Sequence, residues 1–321
     1  MIDFNLMIPD FRDIENAYQL IKNHINRTPV FSSSSINSIL GCHTWFKCEN
    51  FQKVGAFKFR GATHSILKLK PDEAANGVIT HSSGNHAAAL SLAAAVRGIP
   101  AYIIMPENAP GIKKKAVAGY GGQITFCKPT QKAREETMLK IKAETNATFI
   151  HPYDSFNVIC GQGTASLELL QEHPDLDIVI APVGGGGLLS GTAAYIKGKN
   201  PKIKVYGAEP QNADDAYRSL IDKKIYPSVN PQTIADGLLT SLSPLTFSTL
   251  LQHCDGILTV SESSIIKAMR MVWERMKIII EPSSAVPVAA ILEHGEKFRN
   301  KKVGVIISGG NVDLDHLPWQ E

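Results

Sequence analysis

The chain has no uninterrupted apolar run long enough to span a bilayer, so no membrane segment is expected. It has no basic region followed by an apolar run at its start. Met1-Ile2-Asp3-Phe4-Asn5 opens it, and no signal peptide is evident. Cysteine is scarce: Cys42, Cys48, Cys127, Cys160 and Cys254 are odd in number and scattered. Neither a disulfide framework nor a zinc pattern emerges, and a reducing, cytoplasmic setting is expected. HExxH and paired Cys-x-x-Cys are missing, which argues against catalytic zinc. There is no arginine-rich arm or basic stripe. The 33 basic and 30 acidic residues are mixed along the chain and leave a net charge of +3. Nucleic acid is therefore not an expected partner. The longest basic run, Lys113-Lys114-Lys115, reads as a solvated helix face. Repeats and low-complexity tracts are absent too.

What is present is enough apolar chain for a substantial core: 44% of 321 residues are hydrophobic. That suggests one large or two smaller domains. Phe11, Ile14, Tyr18, Ile21 and Ile25 recur at helical spacing, so residues 10–25 read as an amphipathic helix ended by Thr28-Pro29-Val30. From Gly77 strands and helices alternate. Strands are expected at 78–80, 101–105, 123–127 and 147–150, with helices at 86–96, 111–118 and 131–144 between them. The second half repeats the alternation, with strands at 177–182, 203–208, 256–260 and 303–307. Helices are expected at 163–170, 188–196, 262–276 and 283–292. The pattern implies an α/β fold of open, mostly parallel sheets with helices on both faces. Residues 77–150 are expected to form a small domain inserted in a large one built from 1–76 and 151–321.

Four segments point to chemistry. Lys58 lies between Phe57 and Phe59, just after Gly55-Ala56 and at the start of a helix. Desolvation and a helix N-terminus both lower a lysine pKa and expose a nucleophilic amine, the requirement for a Schiff base with an aldehyde. The alternative is a surface lysine whose stem packs on phenylalanine. Gly184-Gly185-Gly186-Gly187 follows a strand and opens a helix, where successive N–H groups can form an anion nest. Walker A is excluded, since no Lys-Ser/Thr follows, and the dinucleotide glycine spacing also fails. Glu209, about 20 residues on at the end of the next strand, is the one feature that suits a nicotinamide-dinucleotide reading. Ser82-Ser83-Gly84-Asn85-His86 sits between strand and helix, as a carboxylate site or as an ordinary helix cap. Ser308-Gly309-Gly310-Asn311 follows the last strand. All three loops lie at carboxyl ends of strands, where open α/β sheets bind ligands, and could share one mouth with Lys58. Glu209, Asp215 and nearby carbonyls could bind Mg²⁺ or Ca²⁺, or be solvated acids capping the next helix.

Together these segments, in this order over nearly the whole chain, resemble the fold type II (tryptophan synthase β-like) pyridoxal-phosphate enzymes. Phe57-Lys58-Phe59-Arg60-Gly61-Ala62 resembles the family's Schiff-base segment, and Ser83-Gly84-Asn85-His86 its asparagine loop. Gly184 to Gly187 resembles its phosphate cup, and Ser308 to Asn311 its pyridine contact. Within the family, Glu209 to Asp215, Thr233 to Gly237 and Val272 to Met276 are similar to the branch of serine racemases and serine/threonine and threo-3-hydroxyaspartate dehydratases.

The resemblance implies that Lys58 binds pyridoxal 5'-phosphate and acts as a base on one face of the substrate α-carbon, with Ser83 opposite. It places Ser82, Ser83, Asn85 and His86 around the substrate carboxylate, Asn85 also on the cofactor 3-oxygen, Arg134 on the substrate side and Ser308 at the ring nitrogen. It makes Glu209, Asp215 and the Ala213 carbonyl the ligands of Mg²⁺ or Ca²⁺, and a homodimer the expected assembly. The expected reaction is dehydration of L-threonine or L-serine to a 2-keto acid and ammonia, with serine racemisation at the same site. The alternatives are a predominant serine racemase, a threo-3-hydroxyaspartate dehydratase, and a cofactor-binding protein without turnover. There are departures. Val54 replaces a threonine of the mammalian-type racemase's nucleotide region, so ATP activation is not expected. Ala87-Ala88 replaces a Gly-Gln pair. Tyr153 stands at an asparagine position and bears on substrate choice. No regulatory domain follows, so isoleucine feedback is not expected.

Overall fold

The computed structural model describes residues 7–320. Among the described residues ten strands form two sheets: β1 (Val30–Phe31), β2 (His43–Cys48), β3 (Val78–His81), β4 (Ala101–Pro106), β5 (Gln123–Cys127), β6 (Thr148–Phe149), β7 (Ile178–Pro182), β8 (Lys204–Pro210), β9 (Gly256–Val260) and β10 (Lys302–Ile307). The larger sheet runs β1-β2-β10-β7-β8-β9, and the smaller runs β5-β4-β3-β6. Every pairing is parallel except β1 with β2. β10 enters between β2 and β7, in register from Lys302 opposite His43 to Ile307 opposite Cys48. The last strand of the chain therefore lies beside the one that leads to Lys58.

β7 and β10 are almost entirely apolar, as expected of strands covered on both faces. One core on the larger sheet includes Phe46, Ile180, Val272, Val286 and Phe298; the other includes Ile14, Leu169, Leu189 and Ile306. The smaller sheet packs through Val78, Leu90, Ala94 and Ile103. The helix Asn85–Arg97 ends as expected at Gly98, whose φ of 73° permits a left-handed cap. The first helix stops earlier than expected, at Ile21. Among the described residues no helix is long and apolar enough to cross a membrane.

Phe156–Glu172 departs furthest from the periodicity. It is expected only from residue 163 but starts at a Ser155 cap and runs straight through Gly161 and Gly163. Those glycines permit contact rather than break the helix. A Cβ on Gly161 would lie 2.7 Å from the Arg60 carbonyl and the Gly61 Cα, and one on Gly163 would lie 2.8 Å from the Gly191 carbonyl. The helix thus touches both the Lys58 helix (Lys58–Leu67) and the helix that follows the glycine loop (Gly187–Lys199). A buried charge network fixes this floor. Arg60 donates to Glu49 at 2.7 and 2.8 Å and to Glu168 at 3.0 and 2.8 Å. Lys47 joins it, 2.7 Å from Glu168 and 2.6 Å from the Thr28 carbonyl. All four charged side chains are fully buried, and each has its partners, as burial of charge requires.

Candidate active site

The loops after β2, β3, β7 and β10 gather at the carboxyl ends of the strands. Segment 308–311 ties the Lys58 loop to the larger sheet. Phe57 N–H donates to the Ser308 carbonyl at 2.9 Å, Gly310 N–H to Gly55 at 2.9 Å, and the Asn311 amide to Val54 at 2.7 Å. Val54 sits at φ 59° in this loop, a conformation that strains a β-branched residue. Lys58 opens its helix, half-buried, with its ammonium 5.1 Å from the Phe57 ring centroid and 2.8 Å from the Pro152 carbonyl. Burial lowers its pKa to about 8, against a partial upward pull from Glu281.

Glu281 is the site residue that the motifs do not announce. It is buried at the start of the helix Pro282–Glu293 and joins the two sides of the cleft. The Asn85 amide donates to both its oxygens, at 3.0 and 3.1 Å, and Asn311 N–H donates at 3.1 Å. Burial, then the Asp236 charge, raises its pKa to about 7, while Asn85 and Asn311 pull it down. Its one signal in the sequence is a lone acid between Ile278-Ile279-Ile280 and an apolar helix. Lys113 pairs with Asp236 across the cleft, and Lys114 donates to the Glu107 carbonyl at 2.6 Å. The lysine run is therefore partly engaged, not a purely solvated face.

On the smaller-sheet side, Ser82 accepts a 3.4 Å hydrogen bond from Gly84 N–H, and the Ser83 hydroxyl has none among the described residues. The ring of His86 is turned inward: Nε2 meets the Ile150 carbonyl at 3.1 Å. Burial, reinforced by the Lys58 charge, depresses its pKa to about 3. His86 offers this loop its backbone N–H at a helix start, not its imidazole. Arg134 stands in the first turn of the helix Gln131–Thr145, with its Nε buried and unpaired. Burial lowers the pKa of His81 at the end of β3; Glu135 opposes this and the Arg134 charge adds to it.

The glycine loop after β7 keeps the N–H groups of Gly184, Gly185 and Gly186 without an acceptor among the described residues, and Gly187 opens the next helix. Protein also crowds it. A Cβ on Gly185 would strike the Tyr153 ring at 2.4 Å, and one on Gly186, where φ is 86°, would strike Leu242 at 2.7 Å. The glycines thus serve close packing as well as any ligand. At the acidic loop, Glu209 is buried and accepts from Ala216 N–H at 3.1 Å and Tyr217 N–H at 2.8 Å, capping the helix Asp215–Asp222. Burial pushes its carboxyl well above the ordinary range. Asp215 is raised to about 6 by burial, opposed by the nearby Ser228 hydroxyl, and its Oδ2 is buried and unpaired. Ala213 lies between them in a short 3₁₀ turn. Among the described residues no three His, Cys, Asp or Glu side chains are grouped to hold a metal; the expected set has only two carboxylates.

An amine of lowered pKa, a cup of free N–H groups and a hydroxyl at the end of β10 suit an aldehyde that carries a phosphate and a ring nitrogen. The Ser308 hydroxyl is buried 2.9 Å from that of Ser284. The chain belongs to the family described as pyridoxal-phosphate dependent enzyme, which it matches over residues 21–309. Within that class its relatives are racemases, dehydratases and deaminases. It is 49% identical to the beta-hydroxyaspartate dehydratase of Paracoccus denitrificans, over 98% of this chain and 100% of that one. The crystal structure of serine racemase from Dictyostelium discoideum is 51% identical, with a TM-score of 0.92, covering 95% of this chain and 99% of that one. The T.th. threonine deaminase also superposes with a TM-score of 0.92, at 41% identity, covering 95% and 99%. The chain is an enzyme of this class, with the fold type II architecture of two mostly parallel sheets.

Proposed function

We propose that the enzyme dehydrates L-serine and L-threonine to the 2-keto acid and ammonia, and racemises serine at the same site. The observation that carries this reading is a lysine amine with a pKa lowered to about 8, gathered with a hydroxyl, not a carboxylate, at the end of β10. When bound, pyridoxal phosphate supplies an electron sink for the α-carbon. Lys58 would bind it and serve as base on one face. Asn85 would meet the 3-oxygen, and Gly184 to Gly187 would hold the phosphate. Ser82, Ser83, the His86 N–H and Arg134 surround the substrate carboxylate. Ser308 is too weak an acid to protonate the ring nitrogen, which favours loss of the β-hydroxyl over transamination. Water taken up afterwards releases ammonia. A proton returned from Ser83, opposite Lys58, inverts the α-carbon instead.

A second reading, threo-3-hydroxyaspartate dehydration, is favoured by the unpaired guanidinium Nε of Arg134, since that substrate brings a second carboxylate. Residues 77–150 would be the substrate-side domain, and two chains would pair. A divalent cation would sit on Glu209, Asp215 and the Ala213 carbonyl. Two neighbouring buried carboxyls, both raised by desolvation and one with an unpaired oxygen, support it.

The test is incubation with L-serine, D-serine, L-threonine and threo-3-hydroxyaspartate, reading keto acid and enantiomer together. Keto acid from serine or threonine is expected; turnover of hydroxyaspartate alone would replace the first reading with the second. Lys58→Ala should abolish both turnover and the visible absorbance of bound cofactor. Attachment of cofactor to the wild-type apo-protein needs a neutral amine. It should therefore rise with pH to a half-maximum near 8, not near the 10.5 of an ordinary lysine.

A further inference from the structure

The helix Phe156–Glu172 runs beneath both the Lys58 helix and the glycine loop, and Gln162 stands where the two meet. Its side chain is fully buried. A Cβ on Gly61, three residues after Lys58, would lie 3.1 Å from its Cγ, and one on Gly187 would lie 2.8 Å from its Oε1. Neither Oε1 nor Nε2 has a hydrogen-bond partner among the described residues. A buried amide with both ends unpaired forfeits its hydration without return, and an apolar side chain of that length would avoid the loss. The helix is otherwise well satisfied here. Thr164 donates to the Gly161 carbonyl at 2.6 Å, Ser166 to Gly163 at 2.7 Å, and Glu168 is fully engaged by Arg60 and Lys47. Among the described residues, this unpaired amide thus lies against a loop whose N–H groups at Gly184, Gly185 and Gly186 also lack an acceptor.

We propose that Gln162 is a cofactor-binding residue: its carboxamide completes the anion site of Gly184–Gly187 from below and donates through Nε2 to the phosphate. The inference rests on the reading that this loop takes the phosphate. A carboxamide can turn either end toward a neighbour, and an anion selects the N–H end. Because the same side chain lies against Gly61, it sets the phosphate position relative to the Lys58 helix.

The experiment uses apo-protein titrated with pyridoxal phosphate and, separately, with pyridoxal, which lacks the phosphate. Wild type is compared with Gln162→Leu, Gln162→Met, Gln162→Glu and Gly185→Ala. Gln162→Leu should weaken pyridoxal phosphate about tenfold or more while leaving pyridoxal within about twofold. Gln162→Glu should weaken it further, because a carboxylate then faces the phosphate. The melting temperature of apo Gln162→Leu should equal or exceed that of wild type, since an unpaired amide has been removed. Gln162→Met serves should Leu fail to fold. Unchanged pyridoxal phosphate affinity in the folded Leu or Met variant, or an equal loss for both ligands, overturns the proposal. If Gly185→Ala weakens pyridoxal phosphate but not pyridoxal while Gln162 variants do not, the loop keeps the phosphate and only Gln162 is wrongly assigned. If neither substitution matters, the phosphate lies elsewhere and both assignments fall.

Discussion

Segment 308–311 is bonded to the Lys58 loop through Gly55, Phe57 and Val54, and Glu281 accepts from both Asn85 and Asn311. Across the cleft, loop 82–84 has one weak internal bond, at 3.4 Å, and the Ser83 hydroxyl has no partner among the described residues. The first region is built in advance of any ligand; the second leaves its donors for one. On the proposed assignment, preorganisation would lie where the cofactor is held, and loop 82–84 would keep unspent hydrogen bonds to close on a substrate carboxylate. Asn85 belongs to both regions, since its helix starts directly after loop 82–84 and its amide is anchored on Glu281.

The sharpest way to separate the two sides is Ser83→Ala. It removes no protein hydrogen bond, so stability should stay within about 0.5 kcal/mol of wild type. Serine racemisation should fall about 100-fold or more, as for loss of a general acid–base group, while keto acid formation persists. Chiral product analysis beside a melting curve checks both halves. Glu281→Ala should do the reverse and cost about 1–3 kcal/mol by stranding the donors of Asn85 and Asn311. Its sign with pH follows from a carboxyl raised from 4.5 to about 7. The folded state holds that proton more tightly, so this group's contribution is full below pH 4.5 and is lost as pH rises through 7. The gap in melting temperature between wild type and the variant should therefore narrow across that interval. The smallest effect expected is at the acidic loop. A tenfold excess of Mg²⁺ or Ca²⁺ over its dissociation constant should add about 1.4 kcal/mol to wild type by linkage. Chelator should reverse it, and Asp215→Ala should show no such response while keeping its bound cofactor.

Features local in sequence were legible. Four glycines after an apolar strand, a lysine between phenylalanines and a serine-asparagine turn all state their backbone chemistry in a few residues. Strand 123–127 and helix 262–276 match their expected bounds, because periodicity and caps decide them. Features made by distant segments were not. Glu281 becomes a site residue only because β10 inserts beside β2 and brings Asn311 to it. Gly161 and Gly163 suggest a break until two other helices are seen to need that space. His86 sits in its expected loop, but no local rule shows that its ring turns to Ile150. Ser33 and Ser243 cap helices Ser34–Leu40 and Pro244–His253 that the periodicity did not signal.

The buried quartet of Lys47, Glu49, Arg60 and Glu168 bears on the order in which the protein can be made. Three of its members leave the ribosome early, and the fourth follows only after the whole smaller sheet has been synthesised. Until Glu168 arrives, Arg60 and Lys47 have Glu49 as their only acidic partner in the quartet, and the helix that begins at Lys58 has no floor to settle on. A nascent chain truncated before residue 168 therefore lacks one of the two acids that pair with Arg60 and Lys47. If Lys58 binds the cofactor as proposed, capture would then be a late event in biogenesis.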